Sequence, residues 1–108
     1  MMASKEMWQI VMGGSGGQGL VLAGVMLGEA AAYHLGKEVA QTQSYGIASR
    51  GGYSESRVVI ANEEIVYPDV DSPDVVIALT AEAYTRHKDE VPPGGVVLVD
   101  TEAEVDVT

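Results

Sequence analysis

The stretch Gly13-Gly14-Ser15-Gly16-Gly17-Gln18-Gly19 contains five glycines in seven residues. It follows a largely apolar run, Trp8 to Met12, and precedes a helix-like segment, Leu20 to Leu35. This order predicts a strand, a glycine-rich turn and a helix, because glycine leaves the turn backbone free of side chains. The first N–H groups of a helix lack intrahelical partners, so such a turn can hold an anion or admit another chain.

The spacing of Gly14, Gly16 and Gly19 also fits the dinucleotide fingerprint G-x-G-x-x-G. A dinucleotide site needs an acidic residue at the end of the second strand, where it bonds the ribose hydroxyls. The second expected strand, Lys37 to Thr42, has no acid at its end, and Glu38 lies at its beginning. The sequence therefore argues against an NAD site, although a stand-alone nucleotide-binding, Rossmann-like module stays an alternative.

The first helix carries a single charge, Glu29, between Leu20 and Leu35. We therefore expect it to be covered on most of its circumference. Gly24, Gly28 and Ala31 recur on one helical face, which is expected to lie unusually close to a sheet or to another helix.

The remaining pattern predicts an α/β layered sandwich with a mostly parallel, mixed sheet and a Rossmann-like glycine-rich first βα turn. Gly36 is expected to end the first helix. The ten-residue loop 43–52 leaves no room for a crossover helix, so the strand after it is expected to be antiparallel to a neighbour. The later elements are a strand at Tyr53 to Ala61, a short strand at Glu64 to Tyr67, a buried strand at Asp74 to Leu79, a helix capped by Thr80 and running to about Val91, and a buried strand at Val96 to Asp100.

Composition narrows the classes of function. The chain has no cysteine, which excludes disulfides and a cysteine-ligated iron–sulfur cluster within it. Residues 1–6 show no leader pattern and the longest apolar stretch, Leu20 to Leu27, is too short to span a bilayer, so a cytoplasmic chain without membrane contact is expected. The net charge is −10, with the excess acid in residues 61–108, which argues against a nucleic-acid partner.

Metal ligands are not expected. His34 and His87 are far apart in the sequence and have no neighbouring pattern of Cys, His or acidic residues. Asp69, Asp71 and Asp74 are spaced like calcium ligands, but a proline interrupts them and no loop glycine or distal Glu follows at the required offsets. We interpret them as connector acids and strand-start caps.

A second motif, Gln43-Ser44-Tyr45-Gly46 followed by Arg50-Gly51-Gly52, comes after the second strand. Loops after strands are common places for function, and Arg50 is the only charge in this one. We expect it to contact a partner subunit or a phosphate. The candidate cofactor-binding or subunit-contact residues are Gly14, Gly16, Gly17, Gln18, Gly19, Ser44, Tyr45, Gly46, Arg50, Gly51 and Gly52.

Together these motifs resemble the gamma subunit of the 2-oxoacid:ferredoxin oxidoreductases. The resemblance runs the whole length: the G-x-G-G-Q-G loop, an alanine-rich helix, S-Y-G-x-x-x-R-G-G, Pro73-Asp74-Val75, Ala83-Tyr84 and the glycine turn before Val96. Family members continue for several elements beyond the equivalent of Asp100. Residues 1–108 are therefore expected to form a single gamma-type domain that lacks the C-terminal part of the family's domain.

The resemblance implies a role in oxidising a 2-oxoacid, such as pyruvate, 2-oxoglutarate, ketoisovalerate or indolepyruvate, to acyl-CoA and CO2, with electrons passed to ferredoxin. It places thiamine diphosphate, Mg and iron–sulfur clusters in partner subunits (alpha, beta and a ferredoxin-like delta), with coenzyme A as co-substrate. The chain lacks cysteine and a Gly-Asp-Gly diphosphate motif. The resemblance thus implies a non-catalytic subunit, inactive alone, and a pure scaffold without ligand contact is a third alternative.

Overall fold

The computed structural model describes residues 7–15, 19–45, 53–63, 65 and 72–100, without the side chains of Ser44 and Tyr45. Within them it contains five strands and two helices, in accordance with the expected α/β class. The strands are β1 Met7–Ser15, β2 Glu38–Tyr45, β3 Tyr53–Ala61, β4 Val75–Ala78 and β5 Val96–Val99. The helices are α1 Leu20–Leu35 and α2 Ala81–His87, and α2 continues as a 3-10 turn at Lys88–Glu90.

The strands form one mixed sheet in the order β2-β3-β1-β4-β5. β3 is antiparallel to both of its neighbours, β1 and β2, whereas β4 is parallel to β1 and to β5. Four of the five strands therefore run in the same direction, and only β3 opposes them. The expected mixed sheet and the antiparallel third strand are both confirmed, and the short connection between β2 and β3 accounts for the reversal.

Two strand ends differ from the expectation. β1 continues through Gly13 and Gly14 to Ser15, and β2 continues through Gln43 to Tyr45, so these residues are strand rather than turn or loop. The reason is tertiary: β3 is nine residues long and pairs with both strands nearly to its first residue. Ladder hydrogen bonds outweigh the low strand propensity of glycine there.

Other expectations fall on residues that the structure does not describe. The glycine-rich turn proper, at 16–18, lies outside the described residues. So do residues 46–52 of the second motif, and so does the short strand at 64–67 apart from Ile65.

α1 packs on the sheet through its smallest residues, as expected. Gly24 and Gly28 are buried against β2 and β3. A Cβ atom on Gly24 would collide with Ser56 Oγ and lie 2.8 Å from Gln41 Nε2, and one on Gly28 would lie 2.9 Å from Val39 Cγ1. These glycines therefore set the distance between helix and sheet.

The opposite side of α1 is open, so the expectation that the helix is covered around most of its circumference is wrong for this chain. The side chain of Leu22 is 62% exposed, that of Met26 61% and that of Tyr33 80%. The physical reason is that α1 meets only one layer, the β1–β3 part of the sheet. Its apolar outer side chains have no described partner within residues 7–15, 19–45, 53–63, 65 and 72–100.

α2 covers the other face of the sheet, near β4 and β1, where Ala83 packs with Val11 and Val76. The last strand is less buried than expected, because Val96 and Leu98 are 46% and 52% exposed. Side chains alternate between the faces of a strand, and these two point away from the face that α2 covers. α1 lies over the other half of the sheet, so it does not reach them.

The helix ends follow the sequence signals. Gly36 ends α1 in the left-handed conformation, with φ +67°. The Thr80 hydroxyl accepts a hydrogen bond from the Ala83 N–H at 3.2 Å and so caps α2. Neither described helix has the length and apolar character that a membrane crossing requires.

Candidate functional site

The two sequence motifs meet at one edge of the sheet. Gly14 of β1 is paired with Ser54 of β3, and Ser54 is paired on its other side with Tyr45 of β2. β1 and β2 run in the same direction, so their carboxyl ends lie together. In open α/β sheets, ligands gather at the carboxyl ends of the strands. The structure therefore brings the starts of both motifs to the edge where a ligand or a partner is expected.

α1 begins at the same edge. Gly19 precedes it with φ +78°, a left-handed conformation that favours glycine, and makes no side-chain cap. The first turn of α1 contains no acidic residue. A negative group near this helix end meets the positive end of the helix dipole without competition from a carboxylate of that turn.

Only part of the expected site lies within the described residues. Gly14 is buried in β1, Gly19 is exposed before α1, and Ser44 and Tyr45 are placed by their backbone alone. The remaining candidates, Gly16, Gly17, Gln18, Gly46, Arg50, Gly51 and Gly52, lie outside the described residues.

A buried hydrogen-bond network lies beside this edge, on the face that α2 covers. We call Tyr53, Glu55, His87 and Glu90 the His87 clasp. The Tyr53 hydroxyl donates to Glu55 Oε1 at 2.8 Å, and His87 Nε2 lies 2.8 Å from the same oxygen. His87 Nδ1 lies 2.8 Å from Glu90 Oε1. Tyr53, Glu55 and His87 are buried, whereas Glu90 is near the surface.

The clasp joins three elements through simple sequence rules. Tyr53, Glu55 and Arg57 alternate along β3 and so share one face of the sheet. His87 ends α2, whose inner residue Ala83 is fully buried, and this packing delivers the imidazole to that face. Arg57 Nε donates to Glu55 Oε2, the oxygen that His87 leaves free.

A glycine of the first motif makes room for the clasp. A Cβ atom on Gly13 would lie 2.8 Å from the Tyr53 hydroxyl and 3.0 Å from Ala83 Cβ. The Tyr53 ring is covered on one side by the Arg86 guanidinium, 4.3 Å from the ring centroid. The first glycine motif and the clasp are therefore in direct steric contact.

Glu55 is held as a carboxylate. Burial disfavours its charged form, but hydrogen bonds from His87, Arg57 and Tyr53 together outweigh burial and lower the pKa of Glu55 to about 2. The pKa of Tyr53 is raised by burial and by its hydrogen bond to Glu55, so the phenol keeps its proton and donates.

The pKa of His87 is raised, which favours the imidazolium form. The hydrogen bond to Glu55 raises its pKa, burial opposes this, and the hydrogen bond to Glu90 adds to the rise. Both ring nitrogens face carboxylate oxygens, which only accept hydrogen bonds when ionised. The doubly protonated ring is the form that donates to both.

The clasp is a closed network rather than an open reaction centre. No buried side-chain nitrogen or oxygen of the described residues lacks a hydrogen-bond partner. Over the same part of the chain, no group of three or more His, Cys, Asp or Glu side chains is arranged to hold a metal ion. The clasp thus links α2 to β3 through charged hydrogen bonds.

Sequence reasoning missed this network, because it considered His87 only as a metal ligand. The spacing of His87 and Glu90 at i and i+3 was a visible signal. Glu55 is 32 residues away in the chain, in the polar first half of β3, and gave no local signal that it would meet His87. By contrast, Asp74 is a strand-start acid as expected, because its Oδ2 accepts from the Gln9 N–H at 2.8 Å.

Comparison with known proteins adds a family match. The family model for pyruvate ferredoxin/flavodoxin oxidoreductase matches residues 9–107. The chain is 50% identical to the 2-oxoglutarate synthase subunit KorC of Methanocaldococcus jannaschii over 107 residues, which cover 93% of this chain and 57% of that protein.

Two solved structures are similar over almost all of the chain. The keto/oxoacid ferredoxin oxidoreductase gamma subunit of Geobacter sulfurreducens is 41% identical with a TM-score of 0.77, over 91% of this chain and 53% of that one. The 2-oxoglutarate:ferredoxin oxidoreductase of Magnetococcus marinus, with 2-oxoglutarate, coenzyme A and succinyl-CoA bound, is 28% identical with a TM-score of 0.82, over 96% of this chain and 18% of that one. The chain spans about half the length of the curated relative and of the gamma subunit.

Proposed function

The chain belongs to the pyruvate ferredoxin/flavodoxin oxidoreductase family as a gamma-type member, and from this premise we propose that it is a non-catalytic subunit of a 2-oxoacid:ferredoxin oxidoreductase. The complex would oxidise a 2-oxoacid to acyl-CoA and CO2 and pass the electrons to ferredoxin, an iron–sulfur protein acceptor. The observation that carries the proposal is the 50% identity to a 2-oxoglutarate synthase subunit over 93% of this chain. We propose 2-oxoglutarate as the substrate on the same ground.

The division of labour follows from what this chain contains. It has no cysteine for a cluster. As the family resemblance implies, we propose that thiamine diphosphate, Mg and the iron–sulfur clusters lie in alpha, beta and ferredoxin-like delta subunits. The family match over residues 9–107 supports the proposal that residues 1–108 belong to one gamma-type domain.

The two glycine motifs are proposed as the contact of this subunit with coenzyme A or with a neighbouring subunit. Three features support this: the motifs start at one sheet edge, Gly19 opens α1 without a side-chain cap, and Arg50 supplies a cation to the second motif. A guanidinium bonds a phosphate at two points, which an ammonium does not. Coenzyme A carries phosphates that fit both a helix N-terminus and an arginine.

A self-contained dinucleotide module is the rival function. The last residues of β2, from Thr42 to Tyr45, contain no acid that could bond a ribose. The described end of β2 therefore also argues against a dinucleotide site, as the sequence did.

Reconstitution tests the proposal. The gene would be co-expressed with the thiamine-binding and ferredoxin-like subunits of the same organism, and ferredoxin reduction would be measured with 2-oxoglutarate, pyruvate and ketoisovalerate in the presence of coenzyme A. We expect a stable complex that prefers 2-oxoglutarate, and no turnover by this chain alone. Turnover by the isolated chain, or a failure to co-purify with those subunits, would refute it.

The contact itself is tested by Arg50→Lys in the reconstituted complex. We expect a higher KM for coenzyme A or a weaker subunit affinity, because the two-point contact is lost while the charge stays. Lys37→Arg, at the opposite end of β2, is the matched control and should change neither value. Equal behaviour of the two variants would remove the second motif from the proposed contact.

A further inference from the structure

The outer side of α1 is an apolar surface that none of the described elements covers. Leu22, Met26 and Tyr33 are exposed there, and so is Ala30. The four residues recur at i, i+4, i+8 and i+11, so they form one stripe along the helix. We call Leu22, Met26, Ala30 and Tyr33 the α1 stripe. Contiguous exposed apolar surface of this kind marks a site of association.

The inner side of α1 holds this stripe in a fixed position. Gly24 and Gly28 are buried against the sheet, and a Cβ on either would press on β2 or β3. The backbone that carries the outer side chains is therefore already packed. Association through a preorganised helix does not first have to order that backbone, which lowers the cost of binding.

The charge of the chain restricts how a second copy can approach. The net charge is −10, and the excess acid lies in residues 61–108. Within the described part of that region, α2 and the 3-10 turn carry Glu82, Asp89 and Glu90, on the opposite face of the sheet from α1. α1 itself carries one acid, Glu29. Two copies that meet through α1 therefore keep the acids of α2 on the far sides of both sheets, where their repulsion is weakest.

We propose that two copies of this chain pair through the α1 stripe, with the helices antiparallel and a two-fold axis beside Met26. Leu22 then shares a layer with Ala30 of the second copy, and Met26 meets its own copy. Tyr33 shares a layer with Gly19 of the second copy, which is exposed just before the helix. A large side chain thus meets a small one on both sides of Met26, so the stripe is complementary to itself. The pairing does not depend on the proposed function.

The single acid of the helix favours the antiparallel direction. In a parallel pair, Glu29 would lie beside Glu29 of the second copy, and like charges in that position are unfavourable. In the antiparallel pair the two Glu29 residues are about 9 Å apart along the helix axis, because each lies three positions from Met26. Each then shares a layer with Ala23, which is small and exposed.

The length of α1 sets the strength of the contact. Its 16 residues span about 24 Å. One pair of helices of this length forms an interface at the small end of the range for specific protein contacts. We therefore expect a reversible contact, whose occupancy falls on dilution.

The absence of cysteine from the chain allows a direct test. Helices about 8–10 Å apart place facing Cα atoms about 4–6 Å from each other, a distance that a disulfide can join. Met26→Cys would be made in the full-length protein, kept in the assembly in which it purifies. Under mild oxidation it should link two copies, and mass spectrometry of the linked peptides would identify the bond.

Two further cysteine variants are the matched controls. Leu22→Cys lies on the same stripe, but the two copies of this residue would be about 12 Å apart along the helix axis, so it should not link. Thr85→Cys lies on the exposed side of α2 and controls for random collision. It should not link either.

Charges placed at the two-fold axis test whether the occupant is a second copy. Met26→Glu sets two carboxylates against each other and should weaken self-association at least about tenfold, seen by light scattering as a lower mass at equal concentration. Met26→Lys should do the same. An equal mixture of the two variants should recover the mass of the wild type, because each pair then joins a carboxylate to an ammonium group. Thr85→Glu adds the same charge on α2 and should leave the mass unchanged.

Linking at Met26→Cys alone, together with recovery of mass in the mixture, would support the pairing. Equal linking of Met26→Cys and Leu22→Cys would overturn the antiparallel arrangement. A Met26→Cys thiol that links no second copy, whether it stays open to alkylation or is shielded by another subunit, would overturn the contact between copies. A mixture of Met26→Glu and Met26→Lys that stays dissociated would overturn it as well.

Discussion

The two helices attach to the sheet in opposite ways. α1 lies close to it because Gly24 and Gly28 have no side chains, and a Cβ on either would press on β2 or β3. α2 is held through side chains that carry charge, with His87 between Glu55 and Glu90. The first contact depends on shape alone, whereas the second includes a titratable histidine whose pKa is raised. The stability that α2 contributes is therefore expected to depend on pH, and that of α1 is not.

The largest effect is expected where a buried charge loses its partner. Glu55→Gln keeps the size of the side chain but removes the carboxylate between His87 and Arg57. Leaving buried cations without their partner typically costs about 3–5 kcal/mol, and we expect the lower end because Arg57 reaches solvent in part. The free energy of unfolding of the full-length protein would be measured in urea. Glu29→Gln, at the exposed charge of α1, is the control and should cost less than about 0.5 kcal/mol.

Adding a side chain at Gly24 should weaken the contact between α1 and the sheet. Gly24→Ala places a methyl group on Ser56 Oγ, which is fully buried and bonded to Gln41, so neither neighbour moves away freely. We expect a loss of about 2 kcal/mol, because strain of about 1–3 kcal/mol exceeds the gain in helix propensity of about 1 kcal/mol.

Gly28→Ala serves as the graded comparison for that variant. Its new methyl group would meet only Val39 Cγ1 at 2.9 Å, a side-chain atom that can shift. Its cost should be clearly smaller. A greater loss at Gly28 than at Gly24 would mean that the close approach of α1 is set elsewhere.

Changing pH should separate the two contacts without any mutation. Above about pH 6.5 the stability of the wild type should decline as His87 loses its proton, because its folded pKa is raised. Gly24→Ala should lower stability by the same amount at every pH. Thermal unfolding between pH 5.5 and 9 would compare the slopes. A pH slope that changes in Gly24→Ala would show that the two contacts are coupled.

The smallest effect is expected at the surface of α2. Arg86 pairs with Glu82 one helical turn away, at 2.9 Å, with both side chains about half exposed. Exposed pairs of this kind contribute about 0.3–0.5 kcal/mol. Glu82→Gln should therefore change the unfolding free energy by a few tenths of a kcal/mol, and less in high salt. A loss of more than about 1 kcal/mol would show that Arg86 matters through its position over Tyr53.

Much of the fold was open to prediction because its signals are local. The glycine face of α1, the Gly36 and Thr80 caps and the antiparallel third strand each depend on residues a few positions apart. Only part of the candidate site could be predicted from the sequence. The sequence pointed to both glycine motifs, and their starts do share one sheet edge, but the role of Gly16 to Gly19 and of Arg50 stays a prediction.

The features that the sequence did not predict share one cause: they depend on residues far apart in the chain, which give no pattern within a short stretch of sequence. β1 and β2 extend into their motifs because β3 pairs with both, and the openness of β5 depends on how far α1 reaches across the sheet. None of these is encoded in a window of ten residues.

By itself, the sequence determined the order of the described helices and strands and the points where the backbone must come close, because glycine spacing and apolar periodicity act over a single turn or strand. The family followed from the resemblance of its two glycine motifs to those of known gamma subunits. Only the tertiary structure decided what surrounds His87. Its partner Glu55 is 32 residues away, and the two meet because β3 and α2 pack on one face of the sheet. Charge acts through space and not along the chain, so the protonation of a buried histidine is a property of the fold.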